Sequence, residues 1–186
     1  MNIIDSKNIS YKVIEKLGEG SQGMTYLLED KKHIVKLFNA NFDATSAKSK
    51  INFLISLGLD KKVFAIPLKQ ITQPKNGYIA EFASEMVPLS SLKLDLQNTD
   101  LSKWYLSSGG LLRRYNVLIR LSALIRAIHS KGLAYCDLSP NNVFVSEDVK
   151  FSNVFLIDLD NLRYKTSIIN NIYTPFYGAP EIILNN

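Results

Sequence analysis

Residues 135–160, YCDLSPNNVFVSEDVKFSNVFLIDLD, constrain this chain more than any other stretch. Two short β-rich apolar runs, 143–145 and 154–157, each touch a polar cluster at one end. The first follows Asp137 and Asn142, and the second runs directly into Asp158. Two strands joined by a short charged loop would bring those three polar groups to one edge. A carboxylate, an amide and a second carboxylate meeting there could orient a hydroxyl and hold a divalent metal on phosphate oxygens.

Upstream, alternating apolar residues in YKVIEKL (11–17) predict a strand that runs into GEGSQG, with glycines at Gly18, Gly20 and Gly23. MTYLLED predicts a second strand and HIVKLF a third, which carries Lys36. A dinucleotide fingerprint requires a helix immediately after the glycines, and residues 24–28 look extended instead. Taken alone the glycines make a plain hairpin turn. With Lys36 on a strand thirteen residues later, a hairpin that folds its backbone over nucleotide phosphates is the better account.

A helix is expected over 43–57, with Asp43, Thr45 or Ser46 as cap, Ala47, Ile51, Leu54 and Ile55 on one face, and Gly58 to end it. Strands at 63–71 and 78–82, joined by QPKNG, complete an antiparallel sheet of about five strands with one helix. The pattern loosens at 83–92, and a boundary between lobes falls there. Residues 100–106 form a short helix, Gly109 and Gly110 break it, and 111–130 is the strongest helix of the chain. Its period is carried by Leu112, Tyr115, Leu118, Ile119, Ser122, Ile125 and His129, and Gly132 ends it.

Composition narrows the function classes. A hydrophobic content of 46% and a charged content of 21% are those of a globular protein, long enough for one sizeable domain or two small lobes. The net charge of +5 is scattered, with no Arg/Lys run interleaved with aromatics, so nucleic acid is not an expected partner. The start MNIIDSKNIS lacks the pattern of a signal peptide, and no apolar run approaches the roughly 20 residues that span a bilayer. With Cys136 as the sole cysteine, a cytoplasmic protein without a membrane partner is expected.

In order and spacing these signals resemble the protein kinase fold, in particular bacterial members of the eukaryotic-like protein kinase superfamily. The glycine motif is Gly18-Glu19-Gly20-Ser21-Gln22-Gly23, and the lysine strand His33-Ile34-Val35-Lys36. The catalytic loop is 135–142, YCDLSPNN; the D-F-G position holds Asp158-Leu159-Asp160; and Ala179-Pro180-Glu181 follows Thr174-Pro175-Phe176-Tyr177. The resemblance implies an α+β, two-lobed protein kinase-like domain over 1–186. Its N-lobe, about 1–83, is an antiparallel sheet plus one helix; its C-lobe, about 84–186, is mainly helical and incomplete.

The resemblance also implies ATP and Mg²⁺ as cofactors and a protein Ser/Thr hydroxyl as acceptor. Gly18, Gly20 and Gly23 would cover the phosphates and Lys36 would pair with them. Asp137 would orient the hydroxyl, Asn142 and Asp158 would hold the metal, and Ala80, Glu81 and Ala83 would line the adenine site. Thr174 to Glu181 points to a protein substrate. A small-molecule phosphotransferase, or a catalytically impaired pseudokinase that binds nucleotide or protein, is the alternative.

Several positions depart from the family pattern. No glutamate lies between Lys36 and Glu81, and Lys50 falls near the place of the lysine's usual partner, where a second cation would repel Lys36. Cys136 replaces an arginine that reads activation-loop phosphate, and Ser139 replaces a lysine that steadies the γ-phosphate. Asp160 replaces a glycine, as either a further metal carboxylate or a solvated acid capping a turn. The sequence ends five residues after Glu181, so an incomplete C-lobe with partly uncovered apolar faces is expected, in a fragment, a natural truncation or a chain that a partner completes.

Overall fold

The computed structural model describes residues 1–20, 22–39, 44–94, 100–164 and 177. It is an α+β chain that divides into two compact units, Met1–Ser84 and Glu85–Asn186. The expected cap Asp43 and the stretch 174–181, apart from Tyr177, lie outside the described residues. No helix of the described residues is long and apolar enough to cross a membrane.

In the first unit, β1 (Asn2–Asp5), β2 (Ser10–Gly20), β3 (Gly23–Leu28), β4 (His33–Phe38), β5 (Lys69–Gln73) and β6 (Gly77–Glu81) form a closed antiparallel barrel. Their order around it is β1-β2-β3-β4-β6-β5. In place of the expected sheet of about five strands, the described strands number six and close on themselves. The closing strand is β1, paired with β2 through Ile3 and Tyr11 and with β5 through Asp5 and Ile71. Four residues are too few to display a period, so β1 is defined by its distant partners rather than by its own pattern. Ile3 joins Leu28, Val35, Leu37, Ile71 and Ile79 in the barrel core.

Asp5 makes the turn that sends β1 into β2. Its carboxylate accepts the backbone N–H groups of Lys7 at 2.8 Å and Ile9 at 2.9 Å, and the Tyr11 hydroxyl at 2.8 Å. Lys69 Nζ, from β5, donates to that hydroxyl at 2.8 Å. Burial alone would raise the Asp5 carboxyl; the bonds from Ile9, Tyr11 and Lys7 and the charge of Lys69 outweigh it and hold it below its ordinary value.

The expected strand over 63–71 is also corrected, since β5 begins only at Lys69. Asp60 folds the preceding segment into turns, with its carbonyl accepting from Val63 and Phe64 and its carboxylate from Lys62. Pro67 offers no donor to a ladder. Helix α1 (Ala44–Ser56) packs Ala47 and Ile51 against Phe38, Tyr78 and Ala80 of the barrel, and Gly58 leaves it at a φ of +58°.

Among its described residues the second unit contains two α-helices and five short strands, with more residues in helix than in strand. Strand β7 (Met86–Pro88), in the segment expected to be irregular, pairs with β9 (Val143–Ser146), which pairs with β10 (Val154–Leu156). Strands β8 (Leu133–Tyr135) and β11 (Leu162–Tyr164) form a separate pair. Helix α2 (Leu101–Ser107) is capped by Asp100, whose side chain accepts from Lys103 N, and Gly109 and Gly110, at φ +90° and +61°, turn the chain into α3 (Gly110–His129).

The period of α3 is helical, but its packed stripe runs through Arg113, Val117, Leu121, Leu124, Ile125 and Ile128 rather than through the expected one. Arg113, Val117 and Ile128 are buried, while Leu112 and Ile119 are 73% and 65% exposed. Arg113 is on the inner face because its guanidinium donates to the carbonyls of Ser108 and Ser146. That demand cannot be seen from hydrophobic spacing.

Candidate active site

In the second unit the polar cluster grows out of two strand ends. Strand β8 leads into the loop 136–142, which returns as β9, and β10 ends next to β9 in the register Val143–Leu156. Ile157 N donates to Asn142 O at 3.1 Å, extending that ladder to the residue before Asp158. The carboxylate-bearing turn after β10 is thereby tied to Asn142.

Asn142 Nδ2 donates to the carbonyl of Asp137 at 2.9 Å and to its Oδ2 at 3.1 Å. Asn142 N donates to Ser139 O at 3.0 Å, which rolls the loop into a turn with Ser139 buried inside it. Asp158 has a left-handed backbone, φ +55° and ψ +46°. A non-glycine residue in that conformation is uncommon and costs free energy, of the order of 1 kcal/mol, and such residues cluster at functional sites. The Tyr135 hydroxyl donates to the carbonyl of Ile157, which holds the peptide entering Asp158.

Sequence reasoning missed Asn161. It lies in the 3₁₀ turn 159–161, is buried, and its Nδ2 reaches Asp137 Oδ2 at 3.4 Å. Two amides therefore converge on one oxygen of Asp137. The available signal was the D-L-D-N run itself, since Asp and Asn at a turn bond locally. Asp160 is 2% exposed, which overturns the reading of it as a solvated acid, and positive φ is needed at Asp158 rather than at Asp160. Cys136 is half-buried, and burial pushes its thiol up, away from the thiolate a nucleophile needs.

Among the described residues no group of three His, Cys, Asp or Glu side chains could hold a metal ion by itself. Asn142 and Asp158 offer one amide and one carboxylate, both hard oxygen donors. That set suits Mg²⁺ carried in on phosphate oxygens rather than a metal caged by protein.

In the first unit the glycine hairpin joins β2 to β3, closing at the pair Gly20–Gly23. A Cβ on Gly18 or Gly20 would meet nothing within 4 Å, whereas one on Gly23 would lie 2.1 Å from Leu37 O. Gly18 and Gly20 thus leave open backbone that a ligand can approach, and Gly23 is required by the close approach of β4. Lys36 is on β4, paired with Thr25 on one side and Tyr78 on the other. Helix α1 carries no acid, and Lys50 Nζ donates to Gln22 Oε1 of the hairpin at 2.9 Å.

The three residues expected at adenine differ in setting. Ala80 is fully buried in the cluster under α1. Glu81 ends β6 half-buried, its carboxylate 3.1 Å from Lys61 Nζ and 3.9 Å from His33 Nε2. Ala83 follows in the chain leaving the barrel and is half-buried.

No family model matches the chain. It is 24% identical to extracellular signal-regulated kinase 1 of Dictyostelium discoideum over 182 residues, 94% of this chain and 34% of that protein. It is 26% identical to cell division control protein 2 homolog 2 of Trypanosoma brucei brucei over 192 residues, 95% of this chain and 50% of that protein. Over 75 residues it is 31% identical to serine/threonine-protein kinase D2 of Rattus norvegicus, covering 8% of that protein. The chain spans half or less of the length of these relatives. The similarity to the first two of these proteins extends over nearly the whole chain.

Proposed function

We propose that the chain is the nucleotide-binding and catalytic part of an ATP- and Mg²⁺-dependent protein kinase that phosphorylates Ser/Thr hydroxyls of protein substrates. The observation that carries the proposal is Asp137 held by Asn142, with Asp158 in a left-handed turn at the end of the adjoining strand. Asp137 accepts or orients the acceptor hydroxyl, and Asn142 and Asp158 hold the metal. Bound Mg²⁺ supplies neutralising charge on the transferring phosphoryl group. The open backbone of Gly18 and Gly20 covers phosphate, Lys36 pairs with it, and the backbone near Glu81 and Ala83 meets the base.

Catalysis in this class is positioning and electrostatics, so the chain's own task is to fix a carboxylate and a metal before substrate arrives. The doubly bonded Asp137 and the constrained Asp158 suit that task. The setting is a cytoplasmic one, in keeping with a single, packed cysteine. Transfer of labelled γ-phosphate from ATP·Mg²⁺ to protein and peptide acceptors is the test. Labelling of sugars or aminoglycosides with no protein labelled would replace this proposal with a small-molecule phosphotransferase.

A second reading is favoured by one observation: α1 has no acid to pair with Lys36. A nucleotide-binding module without turnover would show thermal stabilisation by ATP·Mg²⁺ and no transfer to any acceptor.

A further inference from the structure

A side-chain bond joins helix α1 to the glycine hairpin, from Lys50 Nζ to Gln22 Oε1 at 2.9 Å. The two residues are far apart in sequence and belong to different elements, so the bond fixes one element against the other. Lys50 sits beside the buried stripe of α1 formed by Ala47, Ile51 and Leu54. That stripe anchors α1 on Phe38, Tyr78 and Ala80. The hairpin is held at the same place by its backbone, since Asn39 N donates to Gln22 O at 3.1 Å. Gln22 therefore meets the end of β4 through its carbonyl and α1 through its side chain.

We infer that Lys50 is a positioning residue for nucleotide, and that it acts by holding the glycine hairpin over the phosphates through Gln22. The inference rests on the proposed phosphate-covering role of that hairpin. A hairpin whose glycines leave open backbone gains affinity when it is pre-ordered, because less freedom is lost when the ligand binds. A lysine at position 50 suits this role better than an acid would. It donates to a neutral amide carbonyl, and it adds positive charge where phosphate is to be held rather than repelling it. An α1 without acids still bears on the site, through the hairpin.

The test is a double-mutant cycle on the whole chain, using Lys50→Met, Gln22→Leu and both together, with Lys50→Arg as the conservative variant. Binding of ATP·Mg²⁺ is measured by calorimetry, and KM and kcat are measured in the transfer assay. Each single variant is expected to weaken binding about five- to tenfold and raise KM equally, with kcat within about twofold, as for lost uniform binding. The double variant is expected to bind no more weakly than the weaker single, and Lys50→Arg to retain most of the affinity. Losses that multiply in the double variant, or a Lys50→Met protein that binds as well as the parent, would overturn the inference.

Hydrogen exchange of the Gly23, Met24 and Thr25 amides without nucleotide separates this from the kinase proposal. Faster exchange in Lys50→Met, Gln22→Leu and the double variant, to the same extent, supports the tether even if the parent chain binds no ATP. Unchanged exchange refutes the tether even if the chain is an active kinase.

Discussion

Asn142 grips Asp137 at two points, its single Nδ2 lying 2.9 Å from the aspartate carbonyl and 3.1 Å from Oδ2. The amide thereby sets both the backbone and the carboxylate of its neighbour. With Asn161 reaching the same Oδ2, the carboxylate has one oxygen engaged by two donors. Two donors on one oxygen fix the direction in which the carboxylate faces.

The division of labour between the two aspartates can be separated by experiment. Asp158→Ala is expected to abolish metal-dependent nucleotide binding. Asp137→Ala is expected to leave binding within about twofold and to lower transfer by about 10²–10⁴-fold, the usual range for loss of a general base. Calorimetry with ATP·Mg²⁺ and a labelled-transfer assay decide it. Equal loss of binding in both proteins would mean that the roles are misassigned.

Asn161→Ala removes one donor from Asp137 Oδ2 and leaves Asn142 in place. The expected result is a three- to tenfold fall in kcat with KM for ATP unchanged, about the worth of one long bond to a charged group. A rise in KM with kcat intact would show that Asn161 serves nucleotide rather than the aspartate.

Gly77 supports Lys36 from the opposite strand. A Cβ there would lie 2.2 Å from Lys36 O, so Gly77→Ala must push β4 away. Thermal or urea unfolding should show a loss of about 1–3 kcal/mol, the cost of forcing atoms into a packed interior. Gly18→Ala, with open space above it, should unfold within about 0.5 kcal/mol of the parent.

The Asp5 carboxyl is held below its ordinary value in the folded chain, because the bonds from Ile9, Tyr11 and Lys7 and the charge of Lys69 outweigh its burial. A depressed acid contributes stability that is fully present above its unfolded pKa, near 3.9, and is lost as pH falls through the folded value. Stability of the first unit should therefore be flat in this group from neutral pH down to about 5 and fall below about 4. Asp5→Asn should lower stability at pH 7 and flatten the acid limb. An unchanged acid limb in that variant would place the titrating group elsewhere.

What the sequence makes legible is what neighbours in the chain decide. The glycine hairpin, Lys36 on a strand, α1 with Gly58 at its end, and the strand ends next to Asn142 and Asp158 follow from short-range pattern and turn chemistry. What it hides is decided at a distance. Strand β1 exists because β2 and β5 both accept it. Arg113 faces inward because carbonyls on a loop and on β9 need a donor, and that turns Leu112 outward. Pro67 and the Asp60 turns cancel a strand that apolar content alone would draw. Asn161 looks like an ordinary turn residue until the fold brings it to Asp137.

The closed barrel also sets an order of assembly. One seam joins Asp5 to Ile71, so β1 is fully paired only after β5 has been made. During synthesis from the N-terminus, β1 can pair with β2 early but must wait for β5 before the ring shuts, and such distant pairings are slow to form. Until then Ile3 and the barrel interior face water. A nascent chain stalled before β5 would expose an unpaired strand edge, open to the first other strand it meets.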